Sequence, residues 1–285
     1  MSGQFSAGCS ERNRMPTMRK IQNEDLVDPA DQDGTKGMSS TLIRGLDVLS
    51  AFRGIQETLS NSELADRLNL PRPTITRLCS TLAYAGYLTK VKAGNYRLGL
   101  RVLELAYPVL SSMTFRQRAI TVMREFAEFT GGAVSLATIH GANLIFVQTV
   151  HLSQSMAHSP EIGAIGPLYK SAMGRALLSM LDADMLRAKE AEIAAAYPEE
   201  WKEFKPRVRE GIAHCREHGF VVALGDWRPG FYGAAAPIKQ LKSGLYIAIN
   251  CGVPEHKISA EEFTDVMGRK VGASAKVLRD SFADL

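Results

Sequence analysis

Residues Asn69–Leu88 read NLPRPTITRLCSTLAYAGYL, and the fold turns on how that stretch is read. Ile75, Leu78, Leu82 and Ala85 recur at helical spacing and make one apolar face. Pro73 is tolerated in the first turn, where its missing N–H has no internal partner to lose, and Gly86 supplies a left-handed stop. The opposite face carries Thr76, Arg77, Ser80, Thr81 and Tyr84, with Arg72 and Thr74 at or near its N-terminal end. No acid stands anywhere in this helix. A surface helix that only needs to be soluble can use Glu and Lys; a helix laid against phosphates is better off without carboxylates.

The neighbouring segments fit the same reading. Ser60-Asn61-Ser62-Glu63 has the form of a capping box, Leu64, Ala65 and Leu68 supply the buried stripe of a second short helix, and Asn69-Leu70 makes a tight turn out of it. Farther upstream Ser39 or Ser40 caps a helix with Leu42, Leu46, Leu49 and Phe52 on one face. Downstream, Tyr87–Val91 and Tyr96–Leu98 are β-compatible runs around a Gly94-Asn95 turn, the signal of a hairpin. Helix, helix, turn, helix, hairpin is the order of a winged helix-turn-helix, placed at residues 39–101.

Charge supports a polyanion partner. The chain nets +4, and residues 39–114 hold nine basic against five acidic residues, so the remainder is balanced. From Arg67 to Arg101 there are seven basic residues and no acid. In a helix-turn-helix the second helix enters the major groove, where Arg pairs with guanine and Thr bonds a base edge or touches the thymine methyl. The expected DNA-contacting residues are Arg72, Thr74, Thr76, Arg77, Ser80 and Thr81 on the helix, with Lys90, Lys92 and Arg97 on the hairpin for backbone oxygens.

Residues 1–38 are rich in Ser, Gly, Asn, Asp and Gln without apolar periodicity, and are expected to be a disordered tail. A linker helix is expected at 102–115, with Leu103, Leu105, Tyr107 and Leu110 among its apolar positions. Beyond it, residues 116–285 alternate strand hairpins with segregated helices, which places the whole chain in the α+β class. Strands are expected at 133–139, 144–150, 220–224, 232–238 and 245–251, and helices at 116–130, 173–181, 184–196, 199–218 and from a capping box at Ser259. No apolar run approaches the ~20 residues of a membrane span, and the N-terminus lacks a secretory core, so a cytoplasmic protein is expected. Four scattered cysteines (Cys9, Cys79, Cys215, Cys251) form no CxxC pair and suit a reducing compartment.

Several stretches together resemble the IclR family of bacterial transcriptional regulators: Leu70–Leu78 (LPRPTITRL), Leu82–Leu88 (LAYAGYL), Asn95–Gly99 (NYRLG), Gly166-Pro167-Leu168, Ser171–Leu178 (SAMGRALL), Ala234–Ile238 (AAAPI) and Ala248-Ile249-Asn250. The similarity runs from Ser39 to about Arg279. It implies a winged helix, a linker helix used in dimerisation and a GAF-like effector-binding domain. It also implies a homodimer, or a dimer of dimers (a homotetramer), on palindromic or pseudo-palindromic double-stranded operator DNA. The family's pocket lies between a helix-opening loop and a curved sheet, which implicates Ser171, Ala172 and Met173, and across from them Asp226, Gly233, Asn250 and Gly252. The family often places Cys or Ser at the position of Gly233 and Ser at that of Gly252, so this chain has more room and fewer polar contacts there. The implied effector is a small organic acid, aromatic or hydroxylated, drawn from a catabolic pathway; no cofactor is implied.

Two other readings stay open from the residues. The C-terminal domain could serve oligomerisation alone. An enzyme is the other rival, but no GxSxG, P-loop, GxGxxG or HExxH occurs, and His214 and His218, spaced to share a helix face, lack a carboxylate or thiolate clearly on that face. No catalytic and no metal-ligating residue is therefore assigned, and the chain is read as a regulator.

Overall fold

The structure, a computed structural model, describes residues 38–53, 58–151 and 160–285. The expected tail therefore lies, except for Met38, outside the described residues. The chain divides into two compact units, Met1–Ala106 and Tyr107–Leu285.

In the first unit, α1 (Ser40–Ser50) begins where the Ser39 hydroxyl accepts from the Leu42 N–H at 3.3 Å. The capping box forms at α2 (Asn61–Leu68): the Ser60 hydroxyl accepts from Glu63 N–H, and the Glu63 carboxylate accepts from Ser60 N–H at 2.8 Å. Asn69 then turns left-handed (φ 52°), a conformation its short polar side chain tolerates, and α3 (Arg72–Tyr84) follows. Gly86 at φ 81° ends α3, with Tyr87 N–H reaching back to the Leu82 carbonyl as in a Schellman turn. Strands β1 (Leu88–Lys90) and β2 (Tyr96–Leu98) pair antiparallel, with Lys90 opposite Tyr96. A tight turn at Lys92–Gly94 joins them, and Ala93 and Gly94 there both have positive φ. Leu59 bridges to Tyr96 as a third backbone partner, an element the periodicity did not mark.

Val48, Leu59, Leu64, Ile75, Leu78, Cys79, Leu88 and Tyr96 form the core of this unit, each large apolar side chain contributing ~1.5–3 kcal/mol by burial. The apolar stripe expected on α1 is split. Val48 is buried, and Leu49 and Phe52 are partly covered, but Leu42 and Leu46 are 63% and 54% exposed. The next helix, α4 (Arg101–Ser112), buries no residue, contains Pro108, and leaves Leu103, Leu105, Tyr107 and Val109 in solvent. Its first turn is tied to the end of α3. The Arg101 guanidinium donates to the Ala85 carbonyl at 2.8 Å and lies over the Tyr87 ring. Just before it Gly99 packs so closely that a Cβ would overlap the Gly86 carbonyl.

The second unit is a six-stranded antiparallel sheet with helices on both faces. Its strands are β3 (Ala133–His140), β4 (Asn143–Val150), β5 (Ile165–Pro167), β6 (Val221–Leu224), β7 (Phe231–Gln240) and β8 (Tyr246–Pro254), arranged in the order β5-β4-β3-β8-β7-β6. On one face pack α6 (Ala172–Ser179), α7 (Ala183–Ala196) and α8 (Pro198–His218). On the other pack α5 (Phe115–Thr130) and the last helix, which runs through α9 (Ala260–Glu262), one π-helical turn (Phe263–Met267) and α10 (Gly268–Ser281). Strand alternation serves both layers: Ala234, Ala236 and Ile249 face α5 and α10, while Ala235 and Ala248 face α6. The short strand β5 was not expected, because Ile-Gly-Pro offers no run long enough to show a period. Among the described residues no helix is long and apolar enough to cross a membrane.

Candidate DNA interface and effector pocket

The outer face of α3 has the chemistry anticipated for it. Arg72, Thr76, Arg77, Ser80 and Thr81 are exposed, Thr74 is half-buried, and Tyr84 at the far end is 96% exposed. Two of these side chains are held from α2. The Arg72 guanidinium donates to the Ser62 hydroxyl at 2.8 Å, and the Asn61 amide donates to the Thr76 hydroxyl at 3.2 Å. The Thr76 hydroxyl itself donates to the Arg72 carbonyl at 3.0 Å, so both of its roles are used inside the motif. Lys90, Lys92 and Arg97 are exposed on the hairpin. The ends of the basic segment are different: Arg67 donates to the Ala51 carbonyl and Arg101 to that of Ala85, so both reach backbone oxygens of their own unit. Asn61 and Ser62 were not singled out as partners of α3, because their contacts with it appear only once α2 and α3 have packed.

In the second unit a cavity of about 60 Å³ opens beside the start of α6, room for a few waters or one small ligand. Ser171, Ala172, Met173, Gly233, Asn250 and Gly252 all line it. The Ser171 hydroxyl caps α6 by accepting from Gly174 N–H at 3.0 Å. Among the described residues no acceptor meets the N–H groups of Ala172 and Met173, and these carry the positive end of the helix dipole. The start of α6 is fixed by Gly174, where a Cβ would overlap the Leu168 carbonyl.

Two rows across three strands lie beneath. Ala133, Gly252 and Gly233 face one another in register, and so do Ser135, Asn250 and Ala235. The first row is almost bare backbone; the second offers the Asn250 side-chain Oδ1, buried with no partner among the described residues, and the Ser135 hydroxyl, 3.0 Å from that of Thr149. Phe146, Trp227 and Phe231 supply aromatic walls, while the Tyr232 ring packs against Phe263 on the other face of the sheet, and among the described lining residues none is an Asp, Glu, Lys, Arg or His. Ser135, Phe146 and Trp227 were missed from the sequence. Ser135 could have been found from strand alternation, since it falls two residues from Ala137 on the face that carries α6.

Asp226, expected in the pocket, is elsewhere. Its carboxylate is paired with the buried Arg175 of α6 and with Arg207 of α8 (3.2 Å), and it does not line the cavity. The reason is charge. A buried guanidinium at position 175 requires a counter-ion, and Asp226 supplies it from the loop between β6 and β7.

His214 and His218 stack on α8 with ring centroids 4.2 Å apart, and burial, then the neighbouring His218, push the His214 imidazole below its usual range. No group of three His, Cys, Asp or Glu side chains among the described residues could hold a metal ion. Cys79 and Cys251 are buried thiols whose pKa burial pushes up to about 11 and about 12, which keeps them protonated and unreactive at neutral pH.

Comparison with known proteins gives a consistent answer. The family model described as the IclR helix-turn-helix domain matches residues 41–92, and that described as the bacterial transcriptional regulator IclR C-terminal domain matches 107–279. The regulator KipR of Bacillus subtilis is 26% identical over 216 residues, covering 74% of this chain and 86% of its own. An IclR family transcriptional regulator from Brucella abortus superposes with a TM-score of 0.78 at 26% identity, over 88% of this chain and 95% of that one. An IclR homologue from Microbacterium hydrocarbonoxydans, solved with 4-hydroxybenzoate, shares the fold with a TM-score of 0.65 at 20% identity, over 85% of this chain and 100% of that one.

Proposed function

This chain belongs to the IclR family of DNA-binding transcriptional regulators, and from that premise we propose that it switches a catabolic operon in response to a small aromatic or hydroxylated organic acid. The observation that carries the reading is the cavity at the start of α6. Two backbone N–H groups without a partner among the described residues suit a carboxylate, the Asn250 side-chain oxygen, likewise without one, suits a ligand hydroxyl, and aromatic walls suit a ring between them. The 4-hydroxybenzoate bound by the Microbacterium homologue has that distribution of groups, and it is the first compound to try.

In this reading residues 39–101 bind DNA, 102–115 link and 116–285 sense. Arg72, Thr74, Thr76, Arg77, Ser80 and Thr81 meet the major groove of an operator with two-fold symmetry, and Lys90, Lys92 and Arg97 meet its phosphates. The exposed Leu42 and Leu46 of α1 and the exposed leucines of α4 pair two copies into a dimer, or a dimer of dimers, which presents two reading helices to the two half-sites. The effector acts through its differential affinity for the arrangements of that dimer, a coupling of ~1–3 kcal/mol.

The test combines two measurements. Thermal denaturation with a panel of aromatic and hydroxylated acids reports binding, because a ligand selective for the folded state raises the transition temperature. Fluorescence anisotropy on DNA upstream of the gene, with and without the stabilising acid, reports coupling. Stabilisation by no acid in the panel would return the second unit to a role in assembly alone.

A further inference from the structure

We infer that Asp226 is a positioning residue: bound to Arg175, it holds Trp227 in place as a wall of the effector pocket. The inference rests on the sensing role proposed above for that cavity, and adds to it a residue that does not itself touch the ligand.

Three observations carry it. First, the ion pair joins two walls of one cavity. Arg175 lies one turn along α6 from the lining residues Ala172 and Met173, and Asp226 immediately precedes Trp227, which also lines the cavity. Second, the pair is sheltered while the side chain beside it is not. The Arg175 and Asp226 side chains are 5% and 14% exposed, whereas Trp227 is 36% exposed with its indole nitrogen over Gly166 of β5. With about a third of its surface in solvent, Trp227 takes part of its placement from what anchors its backbone. Third, the anchor is strongly specified. The Arg175 Nε has no acceptor among the described residues, which leaves Asp226 as the side chain that answers the guanidinium's charge inside the fold, while Arg207 approaches the same carboxylate from a 56% exposed position.

A buried ion pair contributes little net stability compared with an apolar replacement, but it fixes geometry, since only one placement satisfies both charges. Here that geometry is the spacing between the N-terminus of α6, where an acid's carboxylate would sit, and the indole that would cover its ring. Loss of the Asp226 charge frees the β6–β7 loop, and Trp227 swings out of the pocket mouth into solvent.

The chain has two tryptophans, and the other, Trp201, is 5% exposed in the α8 core, so it serves as an internal control. The experiment uses the full-length protein carrying Trp201→Phe, which reports Trp227, or Trp227→Phe, which reports Trp201, each with and without Asp226→Asn. Acrylamide quenching of Trp227 should rise about twofold on Asp226→Asn through local opening, with Trp201 unchanged. In the Trp201→Phe background the dissociation constant for 4-hydroxybenzoate should rise about tenfold, and operator affinity without ligand should stay the same. Unchanged quenching of Trp227 overturns the inference, and so does an equal rise at both tryptophans, which marks the pair as merely structural. Should Asp226→Asn be too unstable to study, Asp226→Glu keeps the charge but lengthens the arm, and the same divergence between the two tryptophans is required of it. If the unsubstituted protein does not bind 4-hydroxybenzoate, the choice of ligand falls, while the quenching comparison still decides the role of Asp226.

Discussion

Gly233 and Gly252 stand opposite one another in the β7–β8 ladder, and neither places a side chain in the cavity above. A Cβ at Gly252 would meet nothing within 4 Å, and one at Gly233 would meet only ordinary contacts at 3.9 Å. Gly252→Ala should therefore stabilise the fold by ~0.5–1 kcal/mol, because glycine in a strand interior carries an entropic cost that alanine avoids. Gly252→Leu should fold as well but fill the cavity and abolish ligand-induced stabilisation. Thermal denaturation with and without the effector checks both, and retained binding in the leucine variant would move the ligand elsewhere.

On the DNA side, Arg77→Ala or Arg72→Ala should cost ~1–3 kcal/mol on the preferred operator and much less on unrelated duplex. Lys90→Ala and Lys92→Ala should weaken all duplexes alike, and each should lower the slope of log affinity against log salt by about 0.9. Anisotropy titrations across a salt series separate the two patterns. Asn61→Ala removes the donor that orients Thr76 and should relax discrimination between sequences without changing the salt slope.

Glu190 and Arg209 join α7 to α8 through two hydrogen bonds of 3.0 and 2.8 Å. The guanidinium bonds hold the buried Glu190 carboxyl below the usual glutamate range, against the opposing pull of burial. The folded-state value is thus below the unfolded one, and on acidification the unfolded chain takes up the proton first. The contribution to stability is complete above the ordinary glutamate pKa and is lost as pH falls through the folded value. Glu190→Gln should cost ~1–2 kcal/mol at neutral pH. Its deficit should shrink in acid, as measured by urea denaturation at a series of pH values.

Gly174→Ala should be severe for its size. The added methyl overlaps the Leu168 carbonyl, and neither α6 nor the turn before it can yield without displacing Ser171–Met173. A loss of ~1–3 kcal/mol or more from overpacking is expected, with ligand response reduced beyond what the lower stability explains. Calorimetry at a temperature where the variant is fully folded tests the second part.

The DNA-binding unit was legible in the sequence because its signals are local. The Ser60 box, Pro73 in a first turn and Gly86 just past a last one each act within four residues, and each is found in place. The surroundings of α1 were not legible, since Leu42 and Leu46 look like core until α2 and α3 pack and leave them outside. In the pocket, the α6 loop and the two glycines came through resemblance, and the structure sets them around one cavity. What could not be read was long-range: Arg175 and Asp226 are 51 positions apart, and only the folded sheet shows that one charge answers the other. Trp227 escaped notice for the same reason.

The joint between α3 and α4 bears on how a signal could reach DNA. With Gly99 seated on the Gly86 carbonyl and Arg101 fastened to Ala85, the end of the reading helix and the start of the next share backbone contact with no slack between them. A twist applied along α4 is then delivered to α3 as torque through a keyed shaft. In the dimer proposed above, half-site spacing and helix orientation would change together, and an effector that rotates α4 would alter the fit at both half-sites at once.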